Sequence, residues 1–507
     1  MPAKVYSYAI IGLESEIVEI ESDSVRSQQA GVSIVGLPDM AVNEARERVR
    51  SAIKNSGFQF PRGRTIVNLA PGDLKKQGPL FDLPIAVSIL MHSEQLVFDA
   101  QNKIFAGELA LDGSLRPISG VLPIAISCLE KGFQTLFLPK ENAKEAGLIK
   151  KIEIIPVKNL RELVNHLKGI APIVRQKPME LNLDEWSNQV TDFSEIKGQN
   201  QAKRAIEIAA SGAHNILLSG PPGSGKTLLA RALPSILPKL TVEEALEATK
   251  IYSVAGELSH EAPLVTVRPF RSPHHTASSA ALVGGGAWPR PGEISLAHRG
   301  ILFLDEFPEF SSKVLESLRQ PLEDGIITVS RAQGSLSFPA RFTLVAAMNP
   351  CSCGFLNDPE IECACTPAEV ARYQKRISGP ILDRIDLCVE VPRVKYDELT
   401  SDASGESSAQ VRFRVQKARD LQIQRFKGLK IKANSEMSPK LIREYCQLSA
   451  SSIELLRNAI QQLHLSARSY NKILKISRTI ADLAGFEKIE QNHLAEALQY
   501  RKRGEMV

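Results

Sequence analysis

The sequence predicts an α/β protein: a parallel-sheet domain in the middle, a mixed α/β domain before it and a helical lid after it. Three observations carry that expectation. Gly220, Pro221, Pro222, Gly223, Ser224, Gly225, Lys226 and Thr227 fit G-x-x-x-x-G-K-[ST] and follow the apolar run Asn215-Ile-Leu-Leu-Ser219. A second apolar run, Gly300-Ile-Leu-Phe-Leu, ends in the carboxylates Asp305 and Glu306. A third, Phe342-Thr-Leu-Val-Ala-Ala-Met348, ends in Asn349. Apolar runs with polar ends are what parallel strands buried on both faces produce.

At 507 residues the chain has room for about three domains. Its 43% hydrophobic and 23% charged residues match a soluble protein, and no apolar run approaches the ~20 residues of a membrane span. Met1-Pro-Ala-Lys-Val-Tyr lacks the charged and apolar regions of a secretory signal, so a cytoplasmic location is expected, with no membrane partner. A net charge of +5 permits an anionic partner without demanding one.

Residues 1–170 alternate strands and helices. Val5 to Ile11, Ile17 to Ile20 and Val32 to Val35 read as strands; Asp39 then caps a helix through Lys54 that stops at Gly57. A strand Thr65 to Leu69, a loop Pro71 to Pro79, a helix holding Pro84 in its first turn, a hairpin around Asp112-Gly113 and a helix Val121 to Lys131 follow. Arg46, Arg48 and Arg50 read as a solvated helix face, with nucleic-acid contact as the alternative. The order of these pieces resembles the proteolytic domain of Lon-type proteases. The stretch that carries the nucleophile there is Gly78-Pro-Leu80-Phe-Asp82 here, and the lysine stretch is Ser119-Gly-Val-Leu122. Two leucines supply neither hydroxyl nor amine, so a non-catalytic scaffold is expected. Residues 171–190 read as a linker.

The central domain, residues 191–395, carries the phosphate chemistry. Glycines let backbone N–H groups close around phosphate oxygens, Lys226 neutralises them, and the Thr227 hydroxyl is a Mg²⁺ ligand. ATP with Mg²⁺ is the expected cofactor. Asp305 is expected to hold the Mg²⁺, Glu306 to deprotonate the attacking water, and the Asn349 amide to bond the γ-phosphate or that water. Cys351, Cys353, Cys363 and Cys365 give C-x-C-x₉-C-x-C, which favours structural zinc over reduced unpaired cysteines or a redox switch. His274-His275, with no carboxylate nearby in sequence, read as loop residues. Loops at 268–275 and 284–292 are rich in Pro, Gly, His and Arg, and a hairpin over Ile326–Pro339 is tipped by Arg331. Arg271, Arg290 and Arg331 are candidates for phosphate contact with DNA, and Trp288 for stacking on a base, each against an ordinary surface role.

Residues 396–507 read as helices. Val411 to Lys432 holds eight Lys or Arg against one acid, Asp420: a solvated face or a nucleic-acid contact.

Several of these pieces resemble the AAA+ ATPases, in the branch containing magnesium chelatases and replicative helicases. Ile196-Lys-Gly-Gln199 resembles the adenine-side segment, and the loops and hairpin resemble pore insertions of hexameric motors. Leu382-Asp-Arg384-Ile-Asp386 resembles the arginine-finger region, which implies that Arg384, with Arg376 as competitor, reaches a neighbour's γ-phosphate. Ser466-Ala-Arg468 resembles the lid motif, which implies that Arg468 contacts the γ-phosphate too. Over essentially its whole length, and most specifically at 71–76, 271–276, 349–354 and 377–387, the chain resembles the ComM/YifB family. That resemblance implies a hexameric DNA motor, with branch migration of recombination intermediates during natural transformation as its work. The rivals are a chelatase motor subunit, a Lon-like protease opposed by Leu80 and Leu122, and a protein-remodelling ATPase for which Trp288 is the pore aromatic.

Overall fold

The computed structural model describes residues 3–25, 31–183, 191–285, 289–331, 334–395, 397–398, 405–462 and 466–501. They form two units with separate hydrophobic cores: Met1–Asn182 with Val242–Val265, and Leu183–Thr241 with Thr266–Val507.

The first unit is built on a seven-stranded mixed sheet. Its strands are Ala3–Ile11 (β1), Glu14–Val25 (β2), Gly31–Val35 (β3), Arg64–Ala70 (β4), Lys103–Phe105 (β5), Thr135–Pro139 (β6) and Glu153–Val157 (β7). Their spatial order is β3-β4-β2-β1-β5-β6-β7, with β2 antiparallel to both of its neighbours and the other pairs parallel. The expected hairpin near Asp112-Gly113 is short, Glu108–Leu109 against Leu115–Arg116, because Lys103–Phe105 joins the main sheet instead. Asp39 caps the helix Met40–Asn55 by accepting from Val42 N, as expected. The helix Asp82–His92 is apolar on every side and accordingly buried from Asp82 to Leu90.

That burial corrects one expectation. Arg48 does not stand on a solvated face but turns inward, its guanidinium clamping the fully buried Asp82 carboxylate at 2.8 and 3.0 Å. A buried carboxylate needs such a partner.

Two further segments lie elsewhere than the sequence suggested. The helix Val242–Ala255, expected within the central domain, packs in the first unit against the helix Val121–Glu130. Gly120 N donates to Ser253 O at 2.9 Å, and the buried Glu145 carboxylate accepts from Leu122 N and Ser253 Oγ. Of the expected linker, residues 171–183 run along this unit: Gln176 N donates to Ile154 O at 2.8 Å and Met179 N to Gly147 O at 2.9 Å. Residues 184–190 lie outside the described residues.

The second unit holds a five-stranded parallel sheet: Ile216–Ser219 (β8), Phe270–Arg271 (β9), Ile301–Leu304 (β10), Thr343–Met348 (β11) and Leu387–Glu390 (β12), in the order β9-β10-β11-β8-β12. Ser219 faces Met348 across β8 and β11, and Leu304 faces Ala346 across β10 and β11. The register therefore brings the carboxyl ends of three strands side by side, where open parallel sheets bind their ligands. Helices Ser408–Arg425, Pro439–Tyr445, Ala450–Gln462, Ala467–Ala484 and Gln491–Gln499 share the core of this sheet.

The basic segment divides: Lys417, Lys427 and Lys430 are exposed, as a solvated face requires, but its arginines are not. Arg412 donates to Ser235 O, Arg414 pairs with Glu207 and Glu406, Arg419 donates to Ala210 O and Ser211 O, and Arg425 forks onto Asp482. Its arginines bind this helix to the sheet unit.

Asp386, buried just before β12, accepts from Asn215 N at 3.1 Å and faces Lys472 at 3.3 Å and His214 at 3.5 Å. Burial alone would raise its carboxyl, but Lys472, His214 and Lys475 outweigh that and hold it well below the usual carboxylate range. Asp386→Ala strands Lys472 without its counter-ion, an expected loss of about 3–5 kcal/mol by chemical denaturation at neutral pH. Because the folded carboxyl is the stronger acid, its contribution is complete above the unfolded value of about 4 and fades as pH falls below it. The gap between variant and parent should therefore shrink on acidification. A variant as stable as the parent at pH 7 would show that the cluster contributes nothing.

Candidate active site

Leaving β8, the chain turns through Gly223 and Gly225, at φ +77° and +91°, into the helix Lys226–Ala232. Gly220 admits no side chain, since a β-carbon there would stand 2.1 Å from Val391 O. The Lys226 ammonium donates to its own loop, to Gly220 O at 2.7 Å and Pro221 O at 2.8 Å, and to Asn349 Oδ1 at 3.2 Å. Burial draws Lys226 down to about 8 against the pull of Asp305. Thr227 Oγ1 donates to Asp305 Oδ2 at 2.8 Å, and Asp305 Oδ1 accepts from Glu306 N at 2.9 Å. The ends of β8, β10 and β11 thus bring these residues into two hydrogen-bonded pairs, Lys226 with Asn349 and Thr227 with Asp305.

These residues fit a nucleoside triphosphate with Mg²⁺. Ser224 Oγ is buried with no partner among the described residues, a polar atom waiting for an acceptor or donor. Lys226 is occupied only by carbonyl and amide oxygens that a phosphate outcompetes in charge. Thr227 and Asp305 offer the hard oxygen donors that Mg²⁺ takes. Bound Mg²⁺ would supply positive charge to the phosphate oxygens where the transferring group gathers negative charge. Gln199, just before the helix Asn200–Gly212, donates to Ser224 O at 3.2 Å and to Pro392 O, tying its segment to the loop.

Glu306 adopts a left-handed backbone, φ +51°, which costs about 1–2 kcal/mol in a non-glycine residue. Its carboxylate lies 3.0 Å from His275 Nδ1. The reading of His274-His275 as plain loop residues is corrected here. His275 follows β9, and β9 pairs beside β10, so the fold supplies the carboxylate that local sequence did not.

The two candidate arginines lie together and, among the described residues, make no hydrogen bond or ion pair with Lys226, Thr227, Asp305 or Asn349. Arg384 and Arg468 share one counter-ion, Glu323: Arg384 makes a short ion pair with it and Arg468 approaches it at 3.5 Å. Arg384 also donates to Arg319 O and Pro380 O. Arg376, the competitor, is engaged by Glu309 at 2.7 Å. Sequence reasoning missed Glu323, which has no motif around it; its only signal was an acid on a helix just before the hairpin.

The DNA candidates fare unevenly. Arg271 is not a free surface cation, because Glu293 clamps it through two contacts of 2.6 Å. Arg290 is exposed on a two-residue strand paired with Gly284–Gly285. The hairpin forms as Ile326–Arg331 against Gly334–Pro339. Trp288 and the side chain of Arg331 lie outside the described residues.

After Asn349 the four cysteines converge, with all four Sγ atoms within 4.8 Å of one another. Cys351 stands 3.3 Å from Cys353 and 3.7 Å from Cys363, and Cys353 stands 3.5 Å from Cys363. Tetrahedral zinc–thiolate bonds of about 2.3 Å put sulfurs ~3.8 Å apart, so the cluster has the dimensions and donor chemistry of a zinc site. A hydrogen bond from the Phe355 backbone lowers the Cys353 thiol, favouring the thiolate that a metal needs.

Comparison with known proteins accords with this geometry. Residues 192–399 match the family described as magnesium chelatase, subunit ChlI; residues 18–142 match subunit ChlI of Mg-chelatase, and residues 405–501 match its C-terminal part. The competence protein ComM of Haemophilus influenzae is 45% identical over 504 residues, covering 98% of this chain and 97% of that protein. The YifB protein of Escherichia coli is 42% identical over 499 residues, covering 98% and 96%. The magnesium-chelatase 38 kDa subunit of Cereibacter sphaeroides is 29% identical over 178 residues, 31% of this chain and 52% of that one. Similarity to ComM and YifB runs through both units. The chain belongs to the ComM/YifB family of magnesium-chelatase-like AAA+ ATPases.

Proposed function

We propose that the protein is a ring-forming ATPase that couples ATP hydrolysis to movement on DNA, with branch migration of recombination intermediates during natural transformation as its task. The observation that carries the ring is the sharing of Glu323 by Arg384 and Arg468, which among the described residues make no hydrogen bond or ion pair with the chain's own Lys226, Asp305 or Asn349. In this reading a hexamer brings both arginines of one protomer to the γ-phosphate held by the next. Lys226 neutralises the phosphates, Thr227 and Asp305 hold Mg²⁺, Glu306 takes the proton of the attacking water, and Asn349 orients that water. The four cysteines hold structural zinc, and the ring works in the cytoplasm; among the described residues no helix is long and apolar enough to cross a membrane.

DNA as substrate rests on the full-length likeness to a competence protein. Arg290, Arg331 and Trp288 are the side chains left to meet it, since Arg271 already holds Glu293. The test is ATP hydrolysis alone and with single-stranded, duplex and four-way branched DNA, across a salt series and beside Glu306→Gln. Stimulation that is largest for branched DNA and falls steeply with salt is expected. Turnover indifferent to every DNA would remove the DNA reading and favour a protein-remodelling or chelatase-type motor, in line with the chelatase matches.

A further inference from the structure

We infer that the metal on the four cysteines is a brace for the phosphate-binding loop, so that zinc occupancy governs nucleotide affinity. The inference rests on the zinc reading above and adds a function to it. Two contacts, one on each side of Cys351 and Cys353, join the cluster to the nucleotide site. Asn349, two residues before Cys351, accepts from the Lys226 ammonium at 3.2 Å. Gly354, directly after Cys353, closes the first cysteine turn by donating from its N–H to Cys351 O at 3.1 Å. It also lies against the loop itself: a β-carbon on Gly354 would stand 2.6 Å from Cδ and 2.7 Å from Cγ of Pro222. Gly354 has φ +89°, so both the turn and the close approach require glycine.

The segment from Cys351 to Cys365 has little else to hold it. Only Cys351 among the four thiols is fully buried. The other side-chain ties to neighbouring segments are few: Gln374 donates to Pro350 O at 3.2 Å, and Arg393 meets the buried Asp358 carboxylate at 3.1 Å while its guanidinium lies over the Phe355 ring. A loop without a core of its own takes its shape from a metal or loses it. Here the shape that is lost is the surface on which Pro222 rests and the backbone that aims Asn349 at Lys226. Four thiolates in a tetrahedron select zinc over the hard Mg²⁺ that the triphosphate brings, so the two metals do not compete for one site.

The experiment uses the full-length protein purified without chelator. Elemental analysis is expected to find about one zinc per chain. Zinc is then displaced with a thiol-specific mercurial, the mercurial is removed with excess dithiothreitol and chelator, and the chelator is exchanged for buffer with Mg²⁺. Binding of a fluorescent ATP analogue is expected to weaken at least tenfold and to return on adding one equivalent of zinc. Gly354→Ala gives a second, independent arm. It leaves all four thiols in place but strains the cysteine turn as well as the approach to Pro222, so zinc content is measured beside it; nucleotide affinity should fall at least fivefold. Zinc well below one per chain in the untreated protein overturns the site. Zinc present, with nucleotide affinity unchanged by its removal or by Gly354→Ala, overturns the brace. Where stripping is irreversible, nucleotide affinity is compared among preparations of differing zinc content, and affinity that does not follow zinc overturns the brace. None of these readouts involves DNA, so failure here is distinct from failure of the DNA reading. Glu306→Gln protein, which should still bind ATP, separates a loss of binding from a loss of hydrolysis.

Discussion

Glu306→Gln is expected to lower the turnover number for ATP by about 10²–10⁴ while leaving ATP binding intact, the range for loss of a positioned general base. Glutamine keeps the shape and a hydrogen bond but cannot accept the water's proton. Lys226, Thr227 and Asp305, which make the binding set, are untouched. The measurement is single-turnover hydrolysis of labelled ATP beside equilibrium binding, and the variant should accumulate bound, uncleaved ATP. His275→Ala should act in the opposite sense on basal turnover, because His275 holds the Glu306 carboxylate at 3.0 Å and its removal frees that carboxylate to turn toward water. Hydrolysis by Glu306→Gln within tenfold of the parent would place the base elsewhere. Basal turnover unmoved by His275→Ala would make that contact incidental.

Arg384→Ala is expected to cost about 10³ or more in turnover, the lower end of what a finger arginine contributes, with binding of ATP by each protomer little changed. A guanidinium in that role would stabilise charge that appears only as the γ-phosphoryl group leaves, so the loss would belong in the chemical step. The decisive form of the experiment mixes Arg384→Ala with Glu306→Gln protomers, each nearly inactive alone. An interface that takes Lys226 and Glu306 from the first and Arg384 from the second is whole, and activity should return in mixed assemblies. No recovery, with mixing verified by exchange of labelled subunits, would contradict a site shared between copies. Glu323 enters the same account: Arg384 and Arg468 must leave it to reach a phosphate, so it sets how firmly both are held when no neighbour is engaged.

The sequence by itself determined the parallel sheet and the loop of the candidate nucleotide site. Its signals are local and rigid: a phosphate-binding loop is a run of backbone N–H groups with glycines where φ is positive, and Asp305 and Asn349 are the residues immediately after buried strands. Parallel register then leaves them one place to go, and Thr227 meets Asp305 at 2.8 Å as a result. The cysteine cluster was legible for the same reason, since its four thiols lie within fifteen consecutive positions.

What only the tertiary structure decided were the partners of charged groups distant in sequence. Arg48, Arg271, Arg414 and Arg425 looked alike as exposed cations, yet each is engaged by an acid: Asp82, Glu293, Glu207 and Asp482. His275 gained a role only because β9 lies beside β10, and Glu323 only because it gathers two arginines 84 positions apart in sequence, 384 and 468. The helix Val242–Ala255 fits the pattern of its neighbours in sequence but packs in the first unit, against the helix Val121–Glu130. Hydrophobic periodicity says that a face is buried and charge says that an ion needs a counter-ion, but neither names the partner. That choice falls to whichever surface the whole chain brings within a few ångströms.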